Sequence, residues 1–349
     1  MKAAVIVGPH TIEMREMERP SPGPGEALVK VEAVGVCGSD LHAYEGSQPF
    51  FQYPEIGGHE VVGTVVEINP HEGAPPQIPA RNQVRPPSEG SRVVLDPSMP
   101  CGGCYPCRTG RYNCCEKMRV LGVHAPGAFA EYYVAPVECL HGIPADMSAD
   151  AAVMVEPLSI GVQASNRARV TVEDTVLIIG AGTIGLSVLQ VCASRGARVA
   201  MSDLSEGRLE IARDLGAVVT VNPAKEDLRE ALVEDFGESG PSVVIEAVGR
   251  PATVLQALDV VASSGRVVML GLCTDEICIP GSLMVRKELD FLGSRLHGGT
   301  LPQAVALVEQ GSVHPEQLVT HHMTLDELEQ AFELMLDEPD TTLKVIVTP

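Results

Sequence analysis

The stretch TVLIIGAGTIGLSVLQVCASRGARVAMSD, residues 175–203, decides the fold. TVLIIG begins as a short apolar run and stops at glycine, as a buried strand does before a tight turn. IGLSVLQVCASRG is a helical stretch that closes on glycine, and ARVAMSD is a second strand candidate. Between strand and helix lies Gly180-Ala181-Gly182-Thr183-Ile184-Gly185. Its glycines permit a tight turn, close approach of a pyrophosphate and packing of the helix on the sheet, while the helix N-terminus supplies N–H donors. Asp203 ends the next strand about twenty residues on, where a carboxylate accepts from ribose hydroxyls and repels a 2′-phosphate. The expected coenzyme is NAD rather than NADP, with Arg208 near the adenosine. The competing reading is a structural glycine turn beside a solvated Asp203. Residues 175–194 carry no charge, and roughly 20 such residues are long enough to span a bilayer. Gly180, Gly182 and Gly185 inside them argue for strand, turn and helix instead.

Downstream, AVVTVN, SVVIEAVG and GRVVMLGL continue the strands, separated by helical stretches such as EGRLEIARDLG. That alternation predicts an α/β, doubly wound parallel sheet. After residue 290 come two helices, LPQAVALVEQG and LDELEQAFELMLD, and a closing strand, LKVIVTP. This tail is too small to stand alone and is expected to return to the N-terminal part. Upstream, KAAVIV, ALVKVEAVGV, GHEVVGTVVEIN, SRVVLDP and FAEYYVAP are short strands broken by Gly and Pro, which predicts a β-rich domain. The expected domains are 1–157 with 291–349, and 158–290 inserted between them. PHEGAPPQIPARNQVRPPSEG, residues 70–90, is Pro-rich and polar without apolar period, and is expected to be a surface loop.

Composition narrows the partners. A net charge of −21 with no Lys/Arg-rich run disfavours nucleic acid and anionic membranes, whose binding rests on basic contacts. MKAAVIVGPH has too short an apolar stretch for a secretory segment, so a cytoplasmic location is expected. Ten cysteines in such a context suit metal better than disulfides.

Cys101, Cys104 and Cys107 stand at two-residue spacings, and Cys115 follows. Four thiolates this close in sequence can close a tetrahedral zinc shell, and Gly102 and Gly103 let the chain turn tightly round it. A redox pair or an iron–sulfur centre is the alternative. Cys114 is read as a free thiol beside the site. Cys37, His59 and Glu60 offer mixed donors for a second metal, although each is ordinary alone and a packed or solvated role stays open. Asp40 is placed to hold the second ring nitrogen of His59, and Glu156, alone in the apolar run AAVMVEPLSIGV, needs a partner that a metal would supply.

The order VGVCGSDLH, GHEVVGTV, CGGCYPCRTGRYNCC, VEPLS and GAGTIG, with Asp203, resembles the zinc-dependent medium-chain dehydrogenase/reductase family along essentially the whole chain. VEPLS and Gly293-Ser294-Arg295 resemble its polyol and threonine dehydrogenase branch. GSQPFFQYPEIGGHE and GRYNCCEKMRVLGVH are similar to sugar-acid dehydrogenases such as L-galactonate 5-dehydrogenase and to a related starvation-sensing protein. The Pro-rich insertion departs from that pattern.

The resemblance implies a GroES-like catalytic domain joined to a Rossmann domain. It implies one catalytic zinc at Cys37, His59 and Glu156, with Glu60 in or near the shell, and one structural zinc at Cys101, Cys104, Cys107 and Cys115. It further implies a proton relay through Ser39 and His42, and a nicotinamide flanked by Leu270, Gly271, Leu272, Gly293 and Ser294. Arg295, and Phe51 with its aromatic neighbours Phe50 and Tyr53, are the expected substrate residues. The implied reaction is hydride transfer from a secondary alcohol of a polyol, sugar acid or related polar substrate to NAD by a homodimer or homotetramer. The alternatives are an L-threonine 3-dehydrogenase-like activity or a non-catalytic ligand-sensing protein.

Overall fold

Strand Glu26–Gly35, EALVKVEAVG, is the hub of a sheet with seven strands among the described residues of the computed structural model, which are 1–71 and 85–349. It pairs antiparallel with Glu60–Asn69, Tyr132–Pro136 and Lys344–Thr348. Arg92–Leu95 and Leu140–Gly142 extend the sheet beyond Glu60–Asn69, and Val319–Thr324 runs parallel to Lys344–Thr348. Buried Val29, Val34, Val61, Val65, Val345 and Val347 come from three neighbouring strands of this sheet and share one core with Phe129 and Phe332. The register sets Gly35 beside both Glu60 and Ile346.

The C-terminal tail joins this core. Phe332, on helix Leu328–Asp337, stacks on Tyr44 at 4.9 Å and meets Phe129 edge-on at 6.3 Å. Residues Met1–Glu156 and Gly298–Pro349 accordingly form one unit, and Pro157–His297 the other.

In the second unit all strand pairs are parallel, in the order Val219–Val221, Arg198–Ser202, Thr175–Ile179, Val243–Glu246, Arg266–Met269, Asp290–Gly293. Numbered by their sequence within the unit this is 3-2-1-4-5-6, the doubly wound order in which a dinucleotide sits where the order reverses. The inner strands are almost wholly buried, which explains their unbroken apolar runs. Strand Asp290–Gly293 straddles the boundary expected after residue 290. It belongs here because Leu292 pairs with Val268, and the unit runs on to His297. As an edge strand with three of four residues exposed, it carries no apolar run to mark it. Thr11–Glu16 and Val319–Thr324 are further strands with little burial and no clean alternation. Most of the Pro-rich insertion, residues 72–84, lies outside the described residues.

Candidate active site

Cys37 is the N-cap of helix Gly38–Glu45, and Asp40 in the first turn accepts the Cys37 backbone N–H at 3.0 Å. The other Asp40 oxygen accepts the Gly58 N–H at 3.1 Å and lies 3.6 Å from His59 Nδ1. One buried carboxylate thus ties together the two chain segments that carry Cys37 and His59. The expected Asp40–His59 pairing is present as a long contact, and Asp40 spends its shorter bonds on the backbone. Ligand atoms of Cys37, His59 and Glu60 all lie within 4.8 Å of one another. Sulfur, imidazole nitrogen and carboxylate oxygen in one cluster are donors that zinc accepts. Burial opposes charge on His59, but Asp40 and then Cys37 outweigh it and raise its pKa well above the ordinary value.

Glu156 is buried in the first turn of helix Val155–Ala168 but is not part of that cluster. The structure instead brings up a residue that no local pattern announces. Lys344 Nζ lies 2.5 Å from Glu60 Oε2 and donates to the Val36 carbonyl at 3.0 Å, with both charged side chains buried. Burial disfavours the ammonium, yet Glu60 and then Cys37 hold its pKa above the ordinary value. Gly35 makes room for this pair, since a Cβ there would stand 2.3 Å from Glu60 Oε2.

Ser39 Oγ is 3.5 Å from His59 Nε2, at the edge of the cluster. His42, two residues further along the helix surface from Asp40, is exposed, and its Nδ1 lies 3.3 Å from both Glu45 Oε2 and Ser47 Oγ. Glu45 and Ser47 were not anticipated. Phe51 differs from expectation: it is only 7% exposed and packs in the core, 5.4 Å from the Tyr53 ring. Its neighbour Phe50, 60% exposed and stacked on His124 at 5.9 Å, is the ring that this loop leaves at the surface. Two adjacent phenylalanines cannot be ranked by sequence when no period governs the loop.

The ligand atoms of Cys101, Cys104, Cys107 and Cys115 also lie within 4.8 Å of one another. Cys104 Sγ is 3.4 Å from Cys107 Sγ and 3.8 Å from Cys115 Sγ. The backbone N–H groups of Cys101 and Lys117 donate to Cys115 Sγ at 3.2 and 3.3 Å. Cys101 is lowered to about 6 by N–H donors of Gly103 and Cys104, whereas burial pushes Cys107 up to about 12. Buried Tyr112 packs with Cys107 and Cys115 and donates its hydroxyl to Asp96 at 3.1 Å, which roots the lobe beside strand Arg92–Leu95. Cys114 is outside the group.

In the nucleotide unit, Gly180 has φ +103° and a Cβ on Gly185 would come within 1.8 Å of the Gly180 carbonyl. Gly182, the N-cap of helix Thr183–Ser194, faces space with nothing within 4 Å of its missing Cβ, as a phosphate cradle requires. A cavity of about 480 Å³ is lined by Gly180, Gly182, Asp203 and Arg208, joined by the unforeseen Arg250. Asp203 accepts from the backbone N–H of Ala181 at 2.7 Å and of Ser205 at 2.9 Å, linking the fingerprint turn to the end of the second strand. Thr183 and Ile184 open the helix. Leu270 and Gly271 donate to the Glu246 carbonyl at 2.8 and 3.0 Å, exposed Leu272 follows, and Ser294 donates to the Met269 carbonyl at 3.0 Å beside Gly293. These residues therefore gather at the C-terminal ends of neighbouring strands. Arg295 is exposed and belongs to this unit, not to the one holding the Cys37 cluster.

Comparison with known proteins agrees with both halves of this description. The alcohol dehydrogenase GroES-like domain family matches residues 23–145, and the zinc-binding dehydrogenase family matches residues 183–310. The chain is 33% identical to erythritol/L-threitol dehydrogenase of Mycolicibacterium smegmatis, covering 100% of this chain and 98% of that protein. It is 31% identical to L-galactonate-5-dehydrogenase of Escherichia coli, covering 100% and 99%. The crystal structure of an alcohol dehydrogenase, rspB, from E. coli CFT073 in complex with NADH superposes with a TM-score of 0.91 at 33% identity, over 100% of this chain and 99% of that one. The chain belongs to the zinc-type medium-chain dehydrogenase/reductase family, oxidoreductases of alcohol dehydrogenase type that use zinc and a nicotinamide coenzyme.

Proposed function

We propose that the protein oxidises a secondary hydroxyl of a polyol or sugar acid to a ketone with NAD as hydride acceptor. The observation that carries this reading is the cluster of half-buried Cys37 with buried His59 and Glu60, the Ser39 hydroxyl at its edge 3.5 Å from His59. When bound, zinc supplies Lewis acidity toward the substrate hydroxyl, and the nicotinamide supplies the place for the hydride. Cys37, His59 and Glu156 are the residues that would hold the metal, with Glu60 in or near its shell. Ser39 takes the hydroxyl proton and His42 passes it outward; the exposure of His42 supports that exit. Asp203, already oriented by two backbone N–H groups, favours NAD over NADP by accepting from the ribose and repelling a 2′-phosphate.

The four-cysteine lobe is assigned a structural zinc, because four mutually close thiols leave no position for a substrate. The relatives that act on erythritol, L-threitol and L-galactonate support a polyhydroxylated substrate. Arg295 is assigned to its recognition. Exposed Leu272, Val285 and Phe291 around edge strand Asp290–Gly293 support a homo-oligomer, a dimer or tetramer. Among the described residues no helix is long and apolar enough to cross a membrane, and we assign the protein to the cytoplasm. The test is a panel of polyols, sugar acids, L-threonine and simple alcohols, read by NADH absorbance. A vicinal diol, polyol or sugar acid is expected to exceed 2-propanol in kcat/KM by about a hundredfold, since unpaired polar groups in the pocket penalise a hydroxyl-poor substrate. Equal efficiency across the panel contradicts a polar pocket, and no turnover on any member contradicts the enzymatic reading.

A further inference from the structure

The Glu60 side chain is 1% exposed, and the structure meets its carboxylate with a cation from the far end of the chain. Lys344 is the first residue of strand Lys344–Thr348 and lies 284 positions from Glu60, yet its ammonium reaches Glu60 Oε2 at 2.5 Å. The second anchor, 3.0 Å to the Val36 carbonyl, fixes the ammonium next to the segment that ends in Cys37. The sheet register dictates this meeting, since Gly35 lies beside Glu60 on one side and Ile346 on the other. Asp40, the other buried carboxylate of the cluster, has both oxygens committed to the backbone N–H groups of Cys37 and Gly58. Glu60 is therefore the member of the cluster whose direction a single ammonium controls.

We propose that Lys344 is a positioning residue that competes with the metal for the Glu60 carboxylate, so that Cys37 and His59 hold the metal while Glu60 is restrained by Lys344. This rests on the metal assignment proposed above. A methionine at 344 keeps the length of the side chain and removes the competitor. Both the freed oxygen and the uncompensated buried charge then favour binding of a cation.

The experiment measures loss of the Cys37-dependent metal to a chelator, with Co(II)-loaded protein giving an absorption spectrum sensitive to coordination number. Lys344→Met is expected to release that metal about tenfold more slowly than the wild type and to weaken the visible bands, as an added oxygen donor would. In a Glu60→Gln background the same substitution should change neither readout, because its only route to the metal is gone. Should Lys344→Met fail to fold, Lys344→Gln and the charge-balanced Glu60→Gln/Lys344→Met pair supply the comparison. Release at or above the wild-type rate, or an equal effect in both backgrounds, overturns the proposal. A Cys37→Ser control that binds metal as well as the wild type overturns the metal assignment itself, a different outcome read on a different variant.

Discussion

The two metal-ligand groups differ in how the chain builds them. Cys101, Cys104, Cys107 and Cys115 lie within one short lobe, with backbone N–H groups of Cys101 and Lys117 turned onto Cys115. Cys37, His59 and Glu60 come from a helix N-terminus and the start of a strand, and they are bound into place by Asp40 from one side and Lys344 from the C-terminal strand. A local group of like donors is a crosslink, whereas a group assembled from distant segments with charged supports can be adjusted for chemistry. Breaking the first should cost stability, and breaking the second should cost turnover.

The largest expected effect is therefore on the distant group. Cys37→Ser should lower kcat/KM by at least about a thousandfold with the melting temperature nearly unchanged, since the charge-stabilising metal is lost from the reaction. Collapse of the fold with modest loss of specific activity would reverse the comparison. Cys104→Ser is the converse. Zinc ligation in a closed site is folding energy, so Tm should fall by about 6–12 °C while the folded fraction keeps near-normal kcat. Wild-type melting at full zinc occupancy would mean that these are not the ligands.

Gly35→Ala sharpens the contrast without touching a donor. Its Cβ would stand 2.3 Å from Glu60 Oε2 and 2.8 Å from Val153, so overpacking should cost about 1–3 kcal/mol in denaturant unfolding and disturb the Glu60–Lys344 pair. Stability within error of the wild type would place the Glu60 carboxylate elsewhere. Asp203→Ser should move the NADP/NAD ratio of kcat/KM by about tenfold or more, because it removes both the ribose acceptor and the repulsion of a 2′-phosphate. An unchanged ratio would remove Asp203 from that role. The smallest effect is expected for Arg295→Ala, which should penalise a carboxylate-bearing substrate by about fivefold relative to a neutral polyol, as for a rim charge. No difference between the two substrates would leave Arg295 without a part in recognition.

What the sequence made legible follows the same division. The cysteine lobe and the glycine fingerprint are local patterns, and spacing alone names their residues. The parallel strands were visible because burial on both faces makes them continuous apolar runs, as in VLII and VVIE. Edge strand Asp290–Gly293 and half-exposed Val319–Thr324 leave no such trace. Lys344 was invisible for a stronger reason: its meeting with Glu60 depends on two sheet registers across nearly the whole chain. Glu156 is legible in the opposite way: an acid in an apolar run announces that it needs a partner without naming one, and it is buried in the first turn of helix Val155–Ala168.

The most direct test follows zinc content, turnover and melting temperature together while the protein is exposed to a chelator. Two zinc ions per chain are predicted, of which one leaves first, taking all turnover with it and leaving Tm within about 2 °C of its starting value, whereas loss of the second unfolds the lobe. Turnover that survives departure of the first zinc and disappears only when the melting temperature collapses would contradict the division of labour between the two sites.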